Sequence, residues 1–207
     1  MADTSIIFVI DDDSAMRRSL EDLISSVGLT ARTFASPAEF LKAERPDVPS
    51  CLVLDVRLPG MSGLTFQQEL AKAAITLPII FITGHGDVPM SVRAMKAGAI
   101  EFFTKPFNDQ ELLDAIHAAL ERDRTRRRES AVLAELCARY DTLTGREREI
   151  LRFVVAGRAN KQIAAELALS EVTVKVHRGQ VMHKMRARSL PELVRMADQV
   201  GRATGTS

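Results

Sequence analysis

The stretch CLVLDVRLPGMSG, residues 51–63, places four apolar residues directly before an acid and a turn rich in Pro, Gly and Ser directly after it. A short apolar run bounded by turn residues is typical of a strand buried on both faces of a parallel sheet, with helices covering each side. Ligands of such sheets collect at the carboxyl ends of the strands. Asp55 stands at that end, so other residues reaching the same edge would share a site with it.

The bulk composition is that of a folded, water-exposed protein. The chain has 207 residues, of which 46% are hydrophobic and 27% charged, enough for two small domains with cores of their own. No apolar run approaches the roughly 20 residues that a membrane span needs, and the N-terminus lacks the basic flank of a signal peptide. Only two cysteines occur, Cys51 and Cys137. We therefore expect a reduced, cytoplasmic protein without a membrane partner.

The net charge of +1 conceals an acidic half and a basic half. Residues 1–120 carry 10 Lys and Arg against 16 Asp and Glu, whereas residues 121–207 carry 18 against 11. A basic half indicates either a polyanionic partner or a solvated surface, and charge alone does not decide between them.

Five predicted strands alternate with helical patterns in the acidic half. They cover residues 6–10, 30–34, 51–55, 78–83 and 100–103. Helix starts between them carry clear signals; Ser36-Pro37-Ala38-Glu39, for example, combines a capping box with proline at the first helical position. Strands alternating with helices predict an α/β domain with a doubly wound five-stranded parallel sheet.

Polar residues follow four of these strands and are expected to meet at one edge of the sheet. Three carboxylates there would repel one another unless a cation neutralised them. Mg²⁺ suits such a site because it takes oxygen ligands and binds through one or two carboxylates plus a phosphate. One carboxylate can then act as a nucleophile toward phosphorus. Asp13 or Ser14 is expected to cap the first helix instead. The residues expected at the edge are Asp11, Asp12, Asp55, Thr83 and Lys105.

Residues 1–122 resemble a response-regulator receiver domain, which has a flavodoxin-like fold. The resemblance implies that Asp55 becomes a 4-aspartylphosphate, that Thr83 is the switch hydroxyl and that Lys105 contacts the phosphoryl group. Phe102 matches the aromatic switch position, and the peptide bond before Pro106 is expected to be cis. The implied Mg²⁺ ligands are Asp11, Asp12, Asp55 and the backbone carbonyl of Arg57.

A charged segment links the two halves. Residues 121–129, ERDRTRRRE, contain neither Gly nor Pro and predict a helical linker over residues 123–140, with a solvated charged face, that extends the last receiver helix. Val132, Leu133 and Leu136 continue an apolar stripe. The sequence leaves open whether this stripe pairs with a second chain or docks on a domain.

The basic half predicts a second, smaller all-α domain over residues 141–203. Thr144 and Glu147 form a capping box, Asn160 is expected to cap a second helix, and Ser170 is expected to cap a third. Two short helices joined by a tight turn indicate a helix-turn-helix. In the third helix of this domain, a rotation of 100° per residue places Val174, Val181 and Met185 on the side that faces the core.

Residues 143–185 resemble the DNA-binding domain of the LuxR/NarL class through LTGRE, NKQIA and SEVTVKVH. The outward positions of the third helix suit base contacts, since Lys can donate to guanine, Gln can pair with adenine and Val can meet a thymine methyl. Gly179 departs from the class, which often has Lys there. The expected DNA-binding residues are Lys161, Lys175, Val176, Arg178 and Gln180.

Both halves together resemble the FixJ branch of the NarL/FixJ response regulators. The resemblance implies a cytoplasmic two-component transcriptional regulator, and an activator, that receives phosphate from a sensor histidine kinase. It further implies a homodimer on phosphorylation, double-stranded promoter DNA as a partner and RNA polymerase as a second one. Only self-phosphorylation and dephosphorylation chemistry is expected, so the chain is not predicted to be an enzyme.

Two alternatives keep parts of this pattern. A Mg²⁺-dependent phosphatase or phosphotransferase usually has its nucleophile after the first strand in an Asp-x-Asp pattern, which Asp11 and Asp13 form. A receiver-linked RNA-binding antiterminator shares the first domain but lacks the TVKVH recognition helix.

Overall fold

A computed structural model describes residues 5–204, so the predicted start of the receiver domain at residues 1–4 lies outside the described residues. Strands and helices alternate up to α5, and helices follow it. The strands are β1 (Ile6–Ile10), β2 (Thr30–Phe34), β3 (Ser50–Asp55), β4 (Ile79–Thr83) and β5 (Glu101–Thr104). The helices are α1 (Ser14–Ser26), α2 (Pro37–Lys42), α3 (Gly63–Lys72), α4 (Val88–Lys96), α5 (Asp109–Asp141), α6 (Gly145–Val155), α7 (Asn160–Leu167), α8 (Glu171–Met185) and α9 (Leu190–Thr204).

The predicted doubly wound sheet is confirmed. All strand pairs are parallel, in the order β2-β1-β3-β4-β5. Alternate residues of β3 enter two separate cores, with Leu52 and Leu54 on one face and Cys51 and Val53 on the other. Every residue of β3 is buried, which explains why its sequence is a continuous apolar run instead of an alternating one. Burial raises the pKa of the Cys51 thiol.

Short polar side chains cap the first four helices of the receiver, among them Asp13 and Ser36, which the sequence indicates. Asp13, rather than Ser14, caps α1 by accepting the backbone N–H of Ala15 at 2.8 Å. Ser36 caps α2, Ser62 caps α3 and Asp87 caps α4. These caps satisfy N–H groups that have no partner within the helix. They also fix the loops that follow β1, β3 and β4, where the candidate site lies.

Helix α5 crosses the predicted linker without interruption, as the lack of Gly and Pro indicates. Two compact units divide within it, between Arg127 and Arg128. The expectation of a solvated charged face is wrong for Asp123, whose side chain is fully buried. Its carboxylate accepts hydrogen bonds from the distant backbone N–H of Ser50 and from the nearby side chains of Arg126 and Arg127, as described below.

The second unit has one core, built from α6 to α9 and the end of α5. The capping box at α6 is present, with Thr144 Oγ1 accepting from Glu147 N and Glu147 Oε2 accepting from Thr144 N. Lys184 Nζ of α8 also donates to Glu147 Oε2, at 2.6 Å. Burial raises the pKa of Glu147, but the bonds from Lys184 and Thr144 outweigh it and the pKa is lowered overall.

The prediction that Asn160 caps α7 is wrong. The helix begins at Asn160, with Ala159 in the capping position, and Gln162 Oε1 accepts the backbone N–H of Ala159 at 2.9 Å. The Gln162 side chain thus takes over the capping role, and Asn160 Oδ1 accepts a hydrogen bond from Arg178 of α8 instead. Within residues 5–204, the helices are all too short or too polar to cross a membrane.

Candidate functional site

The parallel register brings the predicted site residues to the carboxyl edge of the sheet. Asp55 ends β3 opposite Ile82 of β4, and Thr83 follows Ile82 as the last residue of β4. Lys105 follows β5 and donates its backbone N–H to the carbonyl of Thr83 at 2.7 Å. Neighbouring parallel strands that end at the same level place their following residues side by side. The bond between Lys105 and Pro106 is cis, which confirms that prediction.

The ammonium of Lys105 bridges two buried carboxylates. Its Nζ lies 2.7 Å from Asp11 Oδ2 and 2.6 Å from Asp55 Oδ2. Asp11 is fully buried and Asp55 is 6% exposed. Buried charges of this kind are stable only when they are paired, so Lys105 is the counter-charge that this edge requires.

The pKa values of these groups reflect the same conflict between burial and pairing. Burial raises the pKa of Asp11, and the nearby charge of Asp55 adds to that effect against the opposing influence of Lys105. Burial alone would lower the pKa of Lys105, but its hydrogen bonds to Asp11 and Asp55 raise the pKa overall. The raised pKa keeps the Lys105 ammonium charged at neutral pH.

The acidic residues fit a magnesium ion by donor type and by spacing. One carboxylate oxygen from each of Asp11, Asp12 and Asp55 lies within 4.8 Å of the others. Asp12 is exposed to solvent while the other two are buried. Hard oxygen donors of this number, with an open side for water and phosphate, are the environment that Mg²⁺ prefers.

Backbone hydrogen bonds orient the two buried carboxylates. Asp11 Oδ1 accepts the N–H of Asp13 and Asp55 Oδ1 accepts the N–H of Arg57, both at 2.8 Å. The Asp55 bond holds the loop that carries the carbonyl of Arg57, the remaining predicted ligand. Asp13 is occupied in capping α1 and lies outside the acidic cluster, so the Asp-x-Asp pattern does not form a pair of carboxylates at one site.

The predicted switch residues Thr83 and Phe102 lie on neighbouring strands. Thr83 is fully buried, and its hydroxyl stays within its own loop, donating to the carbonyl of His85 at 3.4 Å and accepting the N–H of the same residue at 3.3 Å. Phe102 is half-buried, with its ring 6.3 Å from that of Phe81. A Cβ added to Gly86 would lie 3.0 Å from the Phe102 ring and 3.2 Å from the Thr83 methyl. This glycine leaves room for both side chains.

Two residues of the site were not predicted from the sequence. Arg17 of α1 donates from Nη1 to the backbone carbonyls of Asp11 and Asp12, at 2.8 and 3.0 Å, and so holds the acidic loop. Its position four residues after the capping Asp13 was the available signal. Gly63 approaches the strand so closely that a Cβ would lie 2.4 Å from the carbonyl oxygen of Asp55. The Gly-rich turn suggested a tight bend but not this contact.

A second candidate site, a nucleic-acid interface, lies on the outward face of α8. Val174, Val181 and Met185 are buried, as predicted. Lys175, Gln180 and, on α7, Lys161 are exposed, and Val176 is 57% exposed. Hydrogen-bond donors and an apolar side chain on one exposed helix suit the edges of bases in a major groove.

Arg178 differs from the other predicted DNA-binding residues because part of its donor capacity is used within the protein. It is half-buried and donates from Nη1 to Asn160 Oδ1 at 2.5 Å, joining α8 to α7. Val172, which the sequence pattern did not indicate, is 73% exposed in the first turn of α8. Recognition helices contact bases chiefly through their N-terminal residues, so Val172 belongs among the candidates.

Comparison with known proteins accounts for both units. Residues 7–117 match the response regulator receiver domain, and residues 141–197 match the bacterial regulatory proteins of the luxR family. The chain is 58% identical to Nodulation protein W of Bradyrhizobium diazoefficiens, over 95% of this chain and 87% of that protein. It is 45% identical to Transcriptional regulatory protein FixJ of Rhizobium meliloti, over 92% and 94%.

Solved structures agree with the sequence relatives. Response regulator StyR matches with a TM-score of 0.83 and 47% identity, over 95% of this chain and 99% of that one. Full-length FixJ from B. japonicum matches with a TM-score of 0.56 and 42% identity, over 95% and 97%. These findings favour neither the phosphatase nor the antiterminator. The chain belongs to the NarL/FixJ family of two-component response regulators and is a phosphorylation-dependent transcriptional regulator with a receiver domain and a LuxR-type helix-turn-helix.

Proposed function

We propose that this protein is cytoplasmic, that Asp55 is its phosphoacceptor and that a sensor histidine kinase supplies the phosphoryl group. The observation that carries this proposal is the Lys105 ammonium, held 2.6 Å from Asp55 and 2.7 Å from Asp11 at the edge where the strands end. A carboxylate at this edge, with the Lys105 cation beside it to neutralise charge, can attack an incoming phosphorus atom. The family membership supports a kinase as the donor.

In the transfer, an oxygen of Asp55 forms a bond to phosphorus while the bond from phosphorus to the kinase imidazole breaks. The imidazole leaves with the electron pair, so the charges balance without a further reactant. Lys105 is placed to neutralise the phosphoryl oxygens once the Asp55 carboxylate charge has been used. Asp11, Asp12, Asp55 and the carbonyl of Arg57 would hold Mg²⁺, which supplies charge neutralisation for the phosphoryl group when bound.

The new phosphoryl oxygens offer acceptors for the Thr83 hydroxyl, whose present bonds are long at 3.3 and 3.4 Å. Movement of Thr83 would vacate the space beside Gly86 into which the Phe102 ring can turn. Because phenylalanine has no hydroxyl, this coupling depends on packing alone. Phosphorylation then shifts the population of an existing equilibrium between two receiver conformations.

The neighbouring helix α4 presents an apolar surface suited to a second copy of the chain. Val88, Val92 and Met95 recur at helical spacing and are 76%, 44% and 43% exposed. Exposed apolar residues on one helix face are typical of an interaction surface. A two-fold dimer formed there fits recognition of a two-fold promoter site by α8. As an activator, the dimer would contact RNA polymerase from that site.

The proposal is tested by incubating the full chain with acetyl phosphate and Mg²⁺, then measuring intact mass, oligomeric state and affinity for promoter DNA in the same samples. Asp55→Asn is the test variant and Asp13→Asn the matched control, since Asn retains the capping role at residue 13. We expect one phosphoryl group, a dimer and tighter DNA binding in the wild type and the control, and none of these in Asp55→Asn. Phosphorylation of Asp55→Asn to the wild-type extent would refute the assignment.

A further inference from the structure

The amino edge of the receiver sheet carries a second cluster of charged residues, centred on Asp123 of α5. Ser50 begins β3 at this edge, whereas Asp55 ends β3 at the edge that carries the acidic cluster. The Ser50 backbone N–H donates to Asp123 Oδ2 at 3.0 Å. The helix that leads into the second unit is therefore bonded directly to the strand that carries the proposed phosphoacceptor.

The Asp123 carboxylate is fully buried and fully paired. Arg126 donates to Oδ1 from Nε at 3.0 Å and from Nη2 at 2.6 Å, and Arg127 donates to Oδ2 from Nε at 2.6 Å. With the Ser50 N–H, both oxygens have at least two donors. Such a carboxylate withstands burial because its charge and its lone pairs are compensated.

Residues in the same turns of α5 also bond to the segments that precede three strands at this edge. Arg127 pairs with Asp47, which precedes β3. Arg126 Nη1 donates to Thr76 Oγ1, before β4, at 3.3 Å, and Arg124 Nη2 donates to Ser5 Oγ, before β1, at 3.0 Å. Residues 121–127 thus contact the segments that precede β1, β3 and β4, the three interior strands of the sheet. Rotation of the helix would break bonds to all of them at once.

The part of α5 that bonds to the receiver sheet in this way, residues 121–127, ends at the boundary between the two units. Arg127 is the last residue of the first compact unit, and residues 128–132 are all exposed while still helical. Over this stretch, side-chain burial does not hold the helix, so the rotation of these residues about the helix axis follows from the anchored turns before them. An α-helix conveys rotation well because each residue is fixed at about 100° to the next.

We propose that Asp123 is a positioning residue that locks the rotation of α5 to the receiver sheet, so that pairing of two receivers is conveyed to the helix-turn-helix units. The inference rests on the proposed function, because it concerns how phosphorylation at Asp55 reaches the DNA. Arg126 and Arg127 serve this lock instead of a DNA phosphate. Receiver pairing at α4 does not require the lock, but the gain in DNA affinity does.

The first test replaces Asp123 with Asn in the full chain. Glu129→Gln is the matched control, since it removes the same charge from an exposed side chain of the same helix beyond the anchored residues 121–127. Phosphorylation by acetyl phosphate and receiver pairing should match the wild type in both variants. In Asp123→Asn, the phosphorylation-dependent gain in DNA affinity should fall by about tenfold, within the range of typical coupling between sites. Amide hydrogen exchange in residues 121–127 should accelerate in that variant alone.

A second test leaves the buried cluster intact, in case Asp123→Asn fails to fold. One Ala inserted between Arg127 and Arg128 rotates everything beyond it by about 100°, whereas seven inserted Ala come within about 20° of two full turns. The single insertion should abolish the gain in DNA affinity and the heptad insertion should retain most of it. Neither should change Asp55 phosphorylation.

The outcomes separate the two proposals. A wild type whose DNA affinity does not respond to phosphorylation contradicts the proposed function itself. A responsive wild type, together with a full response in either Asp123→Asn or the single insertion, overturns the role of Asp123 and leaves the phosphoacceptor assignment standing.

Discussion

The Asp12→Asn variant should be more stable than the wild type without Mg²⁺ and less stable than the wild type with it. Asp12 is exposed, and none of the hydrogen bonds or ion pairs found among residues 5–204 involves its carboxylate. Its oxygen lies within 4.8 Å of oxygens of Asp11 and Asp55, and charges at that distance repel by about 0.9 kcal/mol even at the dielectric constant of water. Lys105 offsets part of this repulsion. We therefore expect Asp12→Asn to stabilise the metal-free receiver unit by about 1 kcal/mol.

Magnesium should have the opposite effect. At a concentration one hundredfold above its Kd, Mg²⁺ stabilises the wild type by about 2.7 kcal/mol. Removing one carboxylate charge beside a divalent ion weakens binding by about 2 kcal/mol in a water-like medium, so the variant should gain less than about 1 kcal/mol at that concentration. The wild type then becomes the more stable protein.

The assay is amide hydrogen exchange in β1 and β3 of the full chain, because the slowest amides of the buried strands report unfolding of the receiver unit without interference from the second unit. Asp13→Asn is the control, since it removes the same charge from a neighbouring residue that caps α1 and lies outside the cluster. That control should respond to Mg²⁺ as the wild type does. Loss of stability in metal-free Asp12→Asn, or an undiminished response to Mg²⁺, would refute the reasoning.

Three further predictions concern other parts of the chain. Gly63→Ala should destabilise the receiver unit by about 1–3 kcal/mol through overpacking and slow phosphorylation by acetyl phosphate, measured by urea unfolding and intact mass. Glu147→Gln should destabilise the second unit by about 1 kcal/mol, because the amide keeps the capping acceptor but loses the charge that pairs with Lys184, whereas the exposed Glu149→Gln should have little effect. Because the folded pKa of Glu147 is lowered below 4.5, its contribution is complete above pH 4.5 and is lost as the pH falls through the folded value. Lys175→Ala should cost about 1–3 kcal/mol on the specific site and relax base preference, while Lys161→Ala should weaken all duplexes alike and lower the salt slope; equal losses on specific and random DNA would contradict the role of Lys175.

Local patterns in the sequence predicted most of the architecture. The continuous apolar run before Asp55 predicted a doubly buried strand because only a parallel sheet covered on both faces buries every residue of a strand. Caps such as Ser36 and Thr144 predicted helix starts because their partners lie within three residues. The carboxyl edge could be assembled for the same reason, since parallel strands bring their following residues together without further information.

Residues whose partners are distant in sequence could not be predicted in this way. Asp123 looked like one charge in a solvated run, and its burial depends on Ser50, 73 residues earlier. The hydrogen bond from Arg178 of α8 to Asn160 of α7 likewise joins residues 18 positions apart. Helical spacing therefore predicted which face of α8 is exposed, but it could not predict that Arg178 would donate to another helix. Periodicity determines which face of an element is buried but not which polar groups on the other face find partners.

The two edges of the receiver sheet are stabilised in different ways, and this difference suits a switch. At the carboxyl edge, Asp11 and Asp55 share one flexible ammonium, that of Lys105, which a phosphoryl group can recruit. At the amino edge, Asp123 alone receives donors from two arginines and a backbone N–H. Because both oxygens of the Asp123 carboxylate already have donors, we expect its hydrogen bonds to persist when a phosphoryl group is added to Asp55 at the other end of β3. On this proposal, phosphorylation rearranges Thr83 and the loops near it while residues 121–127 of α5 stay bonded to the sheet, so that movement of the receiver is passed to that helix.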